Sequence, residues 1–466
     1  MEKKKIRIGV VGTGRGKTFM DPPECTGLEL AAVCDRREDK LEFIRRHYDK
    51  SGNLGLYTDY GEMLRDAGID AVVLCNYFHE HAPFAIRALR AGKHVLSECL
   101  SASTLAEAVE LCRTVEETGL IYMLAENYPF SRERLEMKRL YESGELGELL
   151  YAEGDYAHPQ EISETYNNAT GPWHWRNQQP STYYCTHAIA PIMMATNTMP
   201  VRVSGWVPRL ADESYRGDEL RAEDHGGIIV CQMDNGAVVR TLQDAFPIRS
   251  AKTSLLCTKG GCEIDRMTRK LYVWHEDFNK GDQPKERLYA PDWPAFAAEA
   301  AAAGHSGGDF WVQYYFGEAI RKNEQPWLDV YRGCAMSVIG MLAWRSACEG
   351  GKPYDVPDFR DESVRKKYEN DSWGVFRKPG DDPSRLPPLA LSGWKPNKNA
   401  LAGATAAWRK RYYLGLGWDR NLGEMKEIRE KLYGSAEYRD GEYDPLKYPR
   451  EAPPKRGCLK TRKASF

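Results

Sequence analysis

Ile6-Arg7-Ile8-Gly9-Val10-Val11-Gly12-Thr13-Gly14-Arg15-Gly16 begins as a short apolar run and ends in a cluster of glycines. The run has the length and composition of a buried parallel strand. The glycines mark a tight turn, after which Lys17 to Met20 can open a helix. A turn of this kind lets the backbone approach a pyrophosphate closely, and the helix start then offers unpaired N–H groups to that anion. Gly12, Thr13, Gly14, Arg15 and Gly16 are therefore candidate cofactor-binding residues. The match to G-x-G-x-x-G is imperfect, because the third glycine comes one residue early and Lys17 stands in its place.

A second apolar strand, Leu28 to Cys34, ends in Asp35. This lies about 20 residues beyond the glycines, where a carboxylate can accept hydrogen bonds from ribose hydroxyls. Asp35 favours NAD and would repel the extra phosphate of NADP. Arg36 and Arg37 follow directly, which keeps NADP open as the less favoured choice. Further short strands follow at Ala71 to Cys75, Val95 to Ser97 and Ile121 to Leu124, with helical stretches between them, one opened by His81. Strands alternating with helices make a doubly wound parallel sheet, which binds ligands at its carboxyl edge. Asp35, Asn76, Glu98 and Glu126-Asn127 all fall at strand ends and outline one crevice.

The chain has 466 residues and a net charge of -2, with 28% charged residues, so no nucleic-acid partner is expected. No apolar run is long enough to span a bilayer, and Lys3-Lys4-Lys5 passes straight into the first strand without a signal peptide. A cytoplasmic protein with no membrane partner is the expectation. The 12 cysteines show no C-x-x-C pairs, and several lie inside apolar strands, as buried free thiols do.

Near residue 147 the pattern changes to longer strands with turn signals. The fold class expected is α/β, with an N-terminal Rossmann domain over residues 1–126. A C-terminal α/β domain with a mostly antiparallel open sheet follows over 127–360, and then an extension over 361–466. Asp234-Asn235-Gly236 is a hairpin signal, because Asn-Gly tolerates the positive φ angles of a two-residue loop. Helices should cover one face of the second sheet. The other face is left for a partner, and a homo-oligomer is expected.

These residues resemble the Gfo/Idh/MocA oxidoreductases. The markers are the glycine turn, Asp35, Asn76 with His81, Ala91-Gly92-Lys93-His94-Val95, Glu98, and His187 in Tyr183-Tyr184-Cys185-Thr186-His187. The resemblance implies an NAD-dependent enzyme that transfers a hydride at a ring carbon of a sugar or sugar derivative. Two departures stand out. Sugar dehydrogenases of the family carry Glu-Lys-Pro where this chain has Glu98-Cys99-Leu100, and an aspartate where it has Tyr183. The lysine is also missing in the family's NAD-dependent glycoside hydrolases of the α-N-acetylgalactosaminidase type. Tyr184-Cys185-Thr186-His187 and His305-Ser306-Gly307-Gly308-Asp309 resemble segments of that branch. Its members cleave glycosides by transient oxidation, elimination, water addition and re-reduction, which is the alternative reading.

Hydride transfer from a sugar carbon needs a base for the hydroxyl proton. His187, Tyr184 and Tyr183 are the catalytic candidates, unless His187 only caps the following helix and the tyrosines only pack. Glu98 and Asn127 join the cofactor set. Trp173, Trp175 and Arg176 are candidates for stacking on a pyranose and binding its oxygen, with His225 and His305 as further substrate-binding candidates. No metal site is expected, since no ligand set stands at metal spacing.

Overall fold

A computed structural model describes residues 5–50, 52–65, 68–158, 175–177, 179–209, 217, 220–221, 224, 226–244, 246, 249–376, 387–391, 393–404 and 422–433. Six parallel strands form the first sheet: β1 (Ile6–Val11), β2 (Leu28–Cys34), β3 (Gly55–Tyr57), β4 (Ala71–Leu74), β5 (His94–Ser97) and β6 (Tyr122–Leu124). Their order is β3-β2-β1-β4-β5-β6. Helices cover both faces, so the central strands are apolar throughout; Ile8, Val10, Val72, Val73, Val95 and Leu96 have no exposed surface. The order reverses between β1 and β4, where an open α/β sheet splays to receive a ligand. The short strand β3 has no apolar run of its own and went unread in the sequence. The turn after β1 leads into a 3₁₀ helix, Arg15–Phe19, where an α-helix was expected.

The second sheet has nine strands: β7 (Leu149–Ala157), β8 (Pro200–Trp206), β9 (Gly227–Met233), β10 (Val238–Asp244), β11 (Thr253–Cys257), β12 (Gly261–Ile264), β13 (Leu271–Trp274), β14 (Glu286–Tyr289) and β15 (Tyr354–Asp355). Their order is β14-β13-β12-β11-β7-β10-β9-β8-β15. All pairs are antiparallel except β7 with β10, which lies at the centre. The hairpin between β9 and β10 forms as expected, yet only Gly236 has positive φ. Asn235 serves through its side chain, donating to the Leu149 carbonyl at 3.2 Å.

Helices Thr186–Thr196 and Val330–Cys348 pack on the inner face of this sheet. They come so close that a Cβ on Gly154 would lie 2.0 Å from the Ala188 carbonyl oxygen, and one on Gly205 2.1 Å from that of Ala343. Helix Val330–Cys348 also reaches the first unit, where the Ser101 N–H donates to Ser337 Oγ at 3.0 Å. Buried apolar residues of the two units form one continuous cluster. Residues after 360 pack on both: helix Leu422–Tyr433 sets Glu424 against His47 at 2.9 Å, and Trp344 Nε1 donates to the Pro388 carbonyl at 3.0 Å. The basic tail beyond 433 lies outside the described residues. Among those described, no helix is long and apolar enough to cross a membrane.

Candidate active site

The glycine turn is fixed by close approach. Gly12 has φ +86°, and a Cβ there would sit 2.5 Å from the Cys75 carbonyl oxygen at the end of β4. A Cβ on Gly14, by contrast, would meet no atom within 4 Å. The turn is thus packed on its sheet side and open on its crevice side, which is the cradle a pyrophosphate needs. Thr13 donates to Asp35 Oδ2 through its N–H (2.9 Å) and its hydroxyl (2.6 Å). Burial pushes the Asp35 carboxyl up, but Lys40 and the Thr13 bonds outweigh it and hold the group below its usual range. Lys17, in the place of the third glycine, lies over the Phe43 ring at 4.8 Å and is pushed down to about 8 by burial and by Lys40.

Around this turn the strand ends are bonded to one another. Arg36 pairs with Glu80 at 2.7 Å, and Asn76 Nδ2 donates to the same carboxylate at 3.4 Å, leaving Asn76 Oδ1 buried without a partner. His81 is buried between the carbonyls of Leu100 (3.1 Å) and Asn76 (3.3 Å), so it ties the ends of β4 and β5 together. Burial pushes its imidazole down.

The second group gathers on Asp309, which opens helix Gly308–Lys322. Arg15 crosses the crevice, donating to Glu98 at 2.7 Å and to Asp309 at 2.6 and 3.1 Å. Asn127 Nδ2 donates to Asp309 at 2.8 Å, and His305 Nδ1 faces it at 2.8 Å. Burial pushes the Asp309 carboxyl up, and the bonds from His305 and Arg15 overcome this and hold it far down. The glycines of His305 to Asp309 serve this approach, since a Cβ on Gly308 would lie 2.2 Å from the Asn127 carbonyl oxygen. Asp309 escaped the sequence reading as a site residue in its own right. Its signal was the motif itself, a carboxylate after two glycines at a helix start.

The third group is the most buried. His187 Nδ1 faces Glu126 Oε1 at 2.6 Å, with side-chain exposures of 7% and 0%. Glu126 also accepts the Tyr128 N–H at 3.0 Å and the Cys99 thiol at 3.2 Å. Burial pushes the Glu126 carboxyl up, and the adjacent imidazole more than reverses this. With Glu126 ionised, His187 carries its proton on Nδ1. Nε2 makes no hydrogen bond among the described residues. Three rings hold the imidazole: Tyr128 stacks on it at 4.3 Å, while Tyr156 and Tyr184 stand edge-on at 4.5 and 5.1 Å. The donor atoms of Cys99, Glu126 and His187 lie within 4.8 Å of one another, as metal ligands can. Two of the three separations are hydrogen bonds to Glu126, from His187 at 2.6 Å and from Cys99 at 3.2 Å.

Of the sequence candidates, Tyr184 stands beside His187. Burial pushes its phenol up. Tyr183 makes no ring contact with His187 among the described residues; its side chain is fully buried and packs edge-on against Phe376 at 6.2 Å. His187 lies within the first turn of helix Thr186–Thr196, not in the loop before it. Trp175 stacks on Phe78 at 4.8 Å with the Arg176 guanidinium over its other side at 4.5 Å. Trp173 and His225 lie outside the described residues. Tyr128 and Tyr156 were not singled out from sequence and had no signal there; Glu126 was named as a strand-end residue of the crevice, without a catalytic role.

Comparison with known proteins agrees with this architecture. Residues 6–126 match the family model of the oxidoreductase family, NAD-binding Rossmann fold (Gfo/Idh/MocA), and residues 228–366 match the C-terminal domain of glycosyl hydrolase 109. The chain's N-terminal domain is that of the Gfo/Idh/MocA oxidoreductase family. Among its relatives is glycosyl hydrolase family 109 protein 1 of Shewanella sp. (strain ANA-3), 26% identical over 76% of this chain and 85% of that one. An α-N-acetylgalactosaminidase of Shewanella oneidensis is 25% identical with the same coverage. Similar folds include a levoglucosan dehydrogenase solved with NADH and L-sorbose (TM-score 0.63, 18% identity, 76% of this chain and 100% of that one). Another is the scyllo-inositol dehydrogenase of Lactobacillus casei (TM-score 0.59, 18% identity, 76% and 99%). Residues 6–126 thus form an NAD-binding Rossmann domain.

Proposed function

We propose that this Gfo/Idh/MocA protein is an NAD-dependent enzyme acting at a ring carbon of a sugar or sugar derivative. The observation that carries the reading is the Glu126–His187 pair, 2.6 Å apart, with the Tyr184 ring 5.1 Å from the imidazole and Nε2 without a hydrogen bond among the described residues. The glycine turn, Asp35, Asn76, Glu98 and Asn127 would hold NAD, which supplies a hydride acceptor. Glu126 keeps the proton of His187 on Nδ1, so that Nε2 takes the proton of a sugar hydroxyl. Tyr184 stands where it can donate to or accept from a neighbouring oxygen. Arg176 and His305 bind the substrate from the sides. The units proposed are residues 1–126, 127–360 and 361–466.

The second reading, a glycosidase that uses NAD without net redox, is favoured by the glycosyl hydrolase 109 match and by Cys99. Burial and Glu126 push the Cys99 thiol well up, so it supplies neither the charge nor the mobile proton of a lysine. One assay separates the two. The protein is given aryl glycosides and free sugars, with and without added NAD, while aglycone and NADH are both followed. Accumulating NADH identifies net oxidation; aglycone release without it identifies the glycosidase. Neither product from any substrate would overturn the carbohydrate reading.

The outer face of the second sheet supports a homo-oligomer. Its charged side chains neutralise one another (Arg240 with Glu153 and Asp155, Lys252 with Glu153), while Trp206, Val238, Leu256 and Leu288 are 40–51% exposed. A second copy placed on this face would remove that apolar surface from water. Light scattering at micromolar concentration tests it, and a monomer mass would refute it.

A further inference from the structure

On the inner face of β10 two polar side chains are completely buried and make no hydrogen bond among the described residues. Neither Nε2 nor Oε1 of Gln243 has a partner among the described residues, and neither does Thr241 Oγ1. Their neighbours on that face, Val239, Ile229 and Leu255, are apolar and equally buried. A leucine or methionine would therefore meet the packing requirement, and a buried amide without partners costs stability.

The place of Gln243 relates it to the candidate active site. In the parallel pair of β7 and β10 it stands opposite Tyr156, and Thr241 stands opposite Gly154. Their side chains share the face from which Tyr156 approaches His187 (4.5 Å) and Tyr184 (5.4 Å). On the other side Gln243 faces Gly227 of β9. A Cβ on Gly227 would lie 3.2 Å from Gln243 Nε2 and 3.0 Å from the Thr182 methyl, so the missing side chain makes room for the amide. Thr182 is two residues before Tyr184. The amide thus lies in the wall between Tyr156 and the loop that carries Tyr184.

We propose that Gln243 is a substrate-binding residue that reads a neutral ring substituent able both to donate and to accept a hydrogen bond. This rests on the carbohydrate reading above. The chemistry belongs to a ring hydroxyl or to an acetamido group, since a primary amide offers one acceptor and two donors. A site built to bond such a group discriminates against sugars that lack it, because its own polar atoms would otherwise stay unpaired.

The test uses Gln243→Met and Gln243→Leu in the full chain with NAD present. Melting temperature is measured without sugar, and kcat and KM are measured on matched 2-acetamido and 2-hydroxy aryl glycosides and on free sugars. The melting temperature should stay level or rise, because an unpaired amide is removed, while KM rises about 10- to 100-fold with a smaller change in kcat. A loss confined to 2-acetamido substrates assigns the amide to the acetamido group; a loss on both sets assigns it to a hydroxyl they share. Wild-type KM in both variants would overturn the inference while leaving the carbohydrate reading intact. So would a lowered melting temperature with unchanged KM, which would make Gln243 the holder of a structural water. A wild-type protein inactive on every sugar would overturn both together.

Discussion

The two sides of the crevice are built by different means. On the Rossmann side the cradle is made by backbone: Gly12 abuts the Cys75 carbonyl, Gly14 faces open space, and Asp35 is anchored by its near neighbour in the turn, Thr13. Across the crevice the groups are side chains that hold one another over long stretches of sequence. Glu126 and His187 are 61 residues apart, Arg15 and Asp309 are 294 apart. A backbone cradle tolerates the loss of a side chain and fails on the gain of a Cβ. A side-chain pair fails on the loss of one partner, because the other is left buried and unpaired. Substitutions in the backbone cradle should therefore appear in cofactor affinity, and those in the side-chain pairs that cross the crevice in turnover.

The largest effect is expected at Glu126. Glu126→Gln keeps the shape but presents His187 with an amide that can hold the wrong tautomer, so kcat should fall by about 10⁴-fold on whichever substrate the wild type turns over. NAD affinity by calorimetry should hold within a few-fold. Cys99→Lys attacks the same pair from the other side. An ammonium next to Glu126 would compete with His187 for the carboxylate, so dehydrogenase activity should drop instead of being restored. Tyr184→Phe removes a hydroxyl and keeps the ring packing against Phe78, so a loss of about 10²-fold in kcat is expected. A Tyr184→Phe enzyme with full activity would remove Tyr184 from the mechanism and leave His187 alone in it.

The same contrast explains what was legible in the sequence. The cradle could be read because its requirements are local: a turn needs glycine, a strand end needs a carboxylate, and both lie within one stretch of chain. His187 and Tyr184 were legible through motif resemblance. Their relation to Tyr183 was not, since which of two adjacent tyrosines faces the crevice depends on how helix Thr186–Thr196 seats against Gly154. Tyr128 and Tyr156 could not be found from pattern, because they become neighbours of His187 only when β7 and the segment after β6 meet. The nine-strand sheet was underread for a similar reason: β12, β14 and β15 are two to four residues long and are strands only by virtue of their partners.

On the Rossmann side, Asp35→Ala should weaken NAD binding by about 10- to 100-fold, the loss of one or two charge-assisted hydrogen bonds, while kcat at saturating NAD stays near wild type. Unchanged affinity would remove Asp35 from the cofactor set. A pair of alanines sharpens the point. Gly12→Ala forces a Cβ into the Cys75 carbonyl at positive φ and should lower the melting temperature. Gly14→Ala adds a methyl to open space, so the melting temperature should hold and only NAD affinity fall. If Gly14→Ala bound NAD as well as wild type, the crevice side of the turn would not be the pyrophosphate cradle.

The smallest effect expected is on the pH dependence of stability, and it too belongs to the Rossmann side. His81 is buried between two carbonyls, and burial pushes its imidazole below the ordinary value of 6.5. His79 nearby is pushed the same way by burial. A group whose folded pKa is lowered binds its proton more readily in the unfolded chain. The stability associated with the neutral ring is therefore fully present above pH 6.5. It is lost as pH falls below that value, by at most about 1.4 kcal/mol per pH unit for each histidine, until the folded form also takes the proton. Glu126 is shifted in the same sense, but its contribution is lost only as pH falls into the carboxylate range, which leaves this window clear. Urea midpoints at pH 7.5, 6.5 and 5.5 should step downward, and His81→Gln, which can still donate to one carbonyl, should flatten the step. A midpoint that is level from pH 7.5 to 5.5 in the wild type would mean that His81 folds already protonated, with an N–H for each of its two carbonyls.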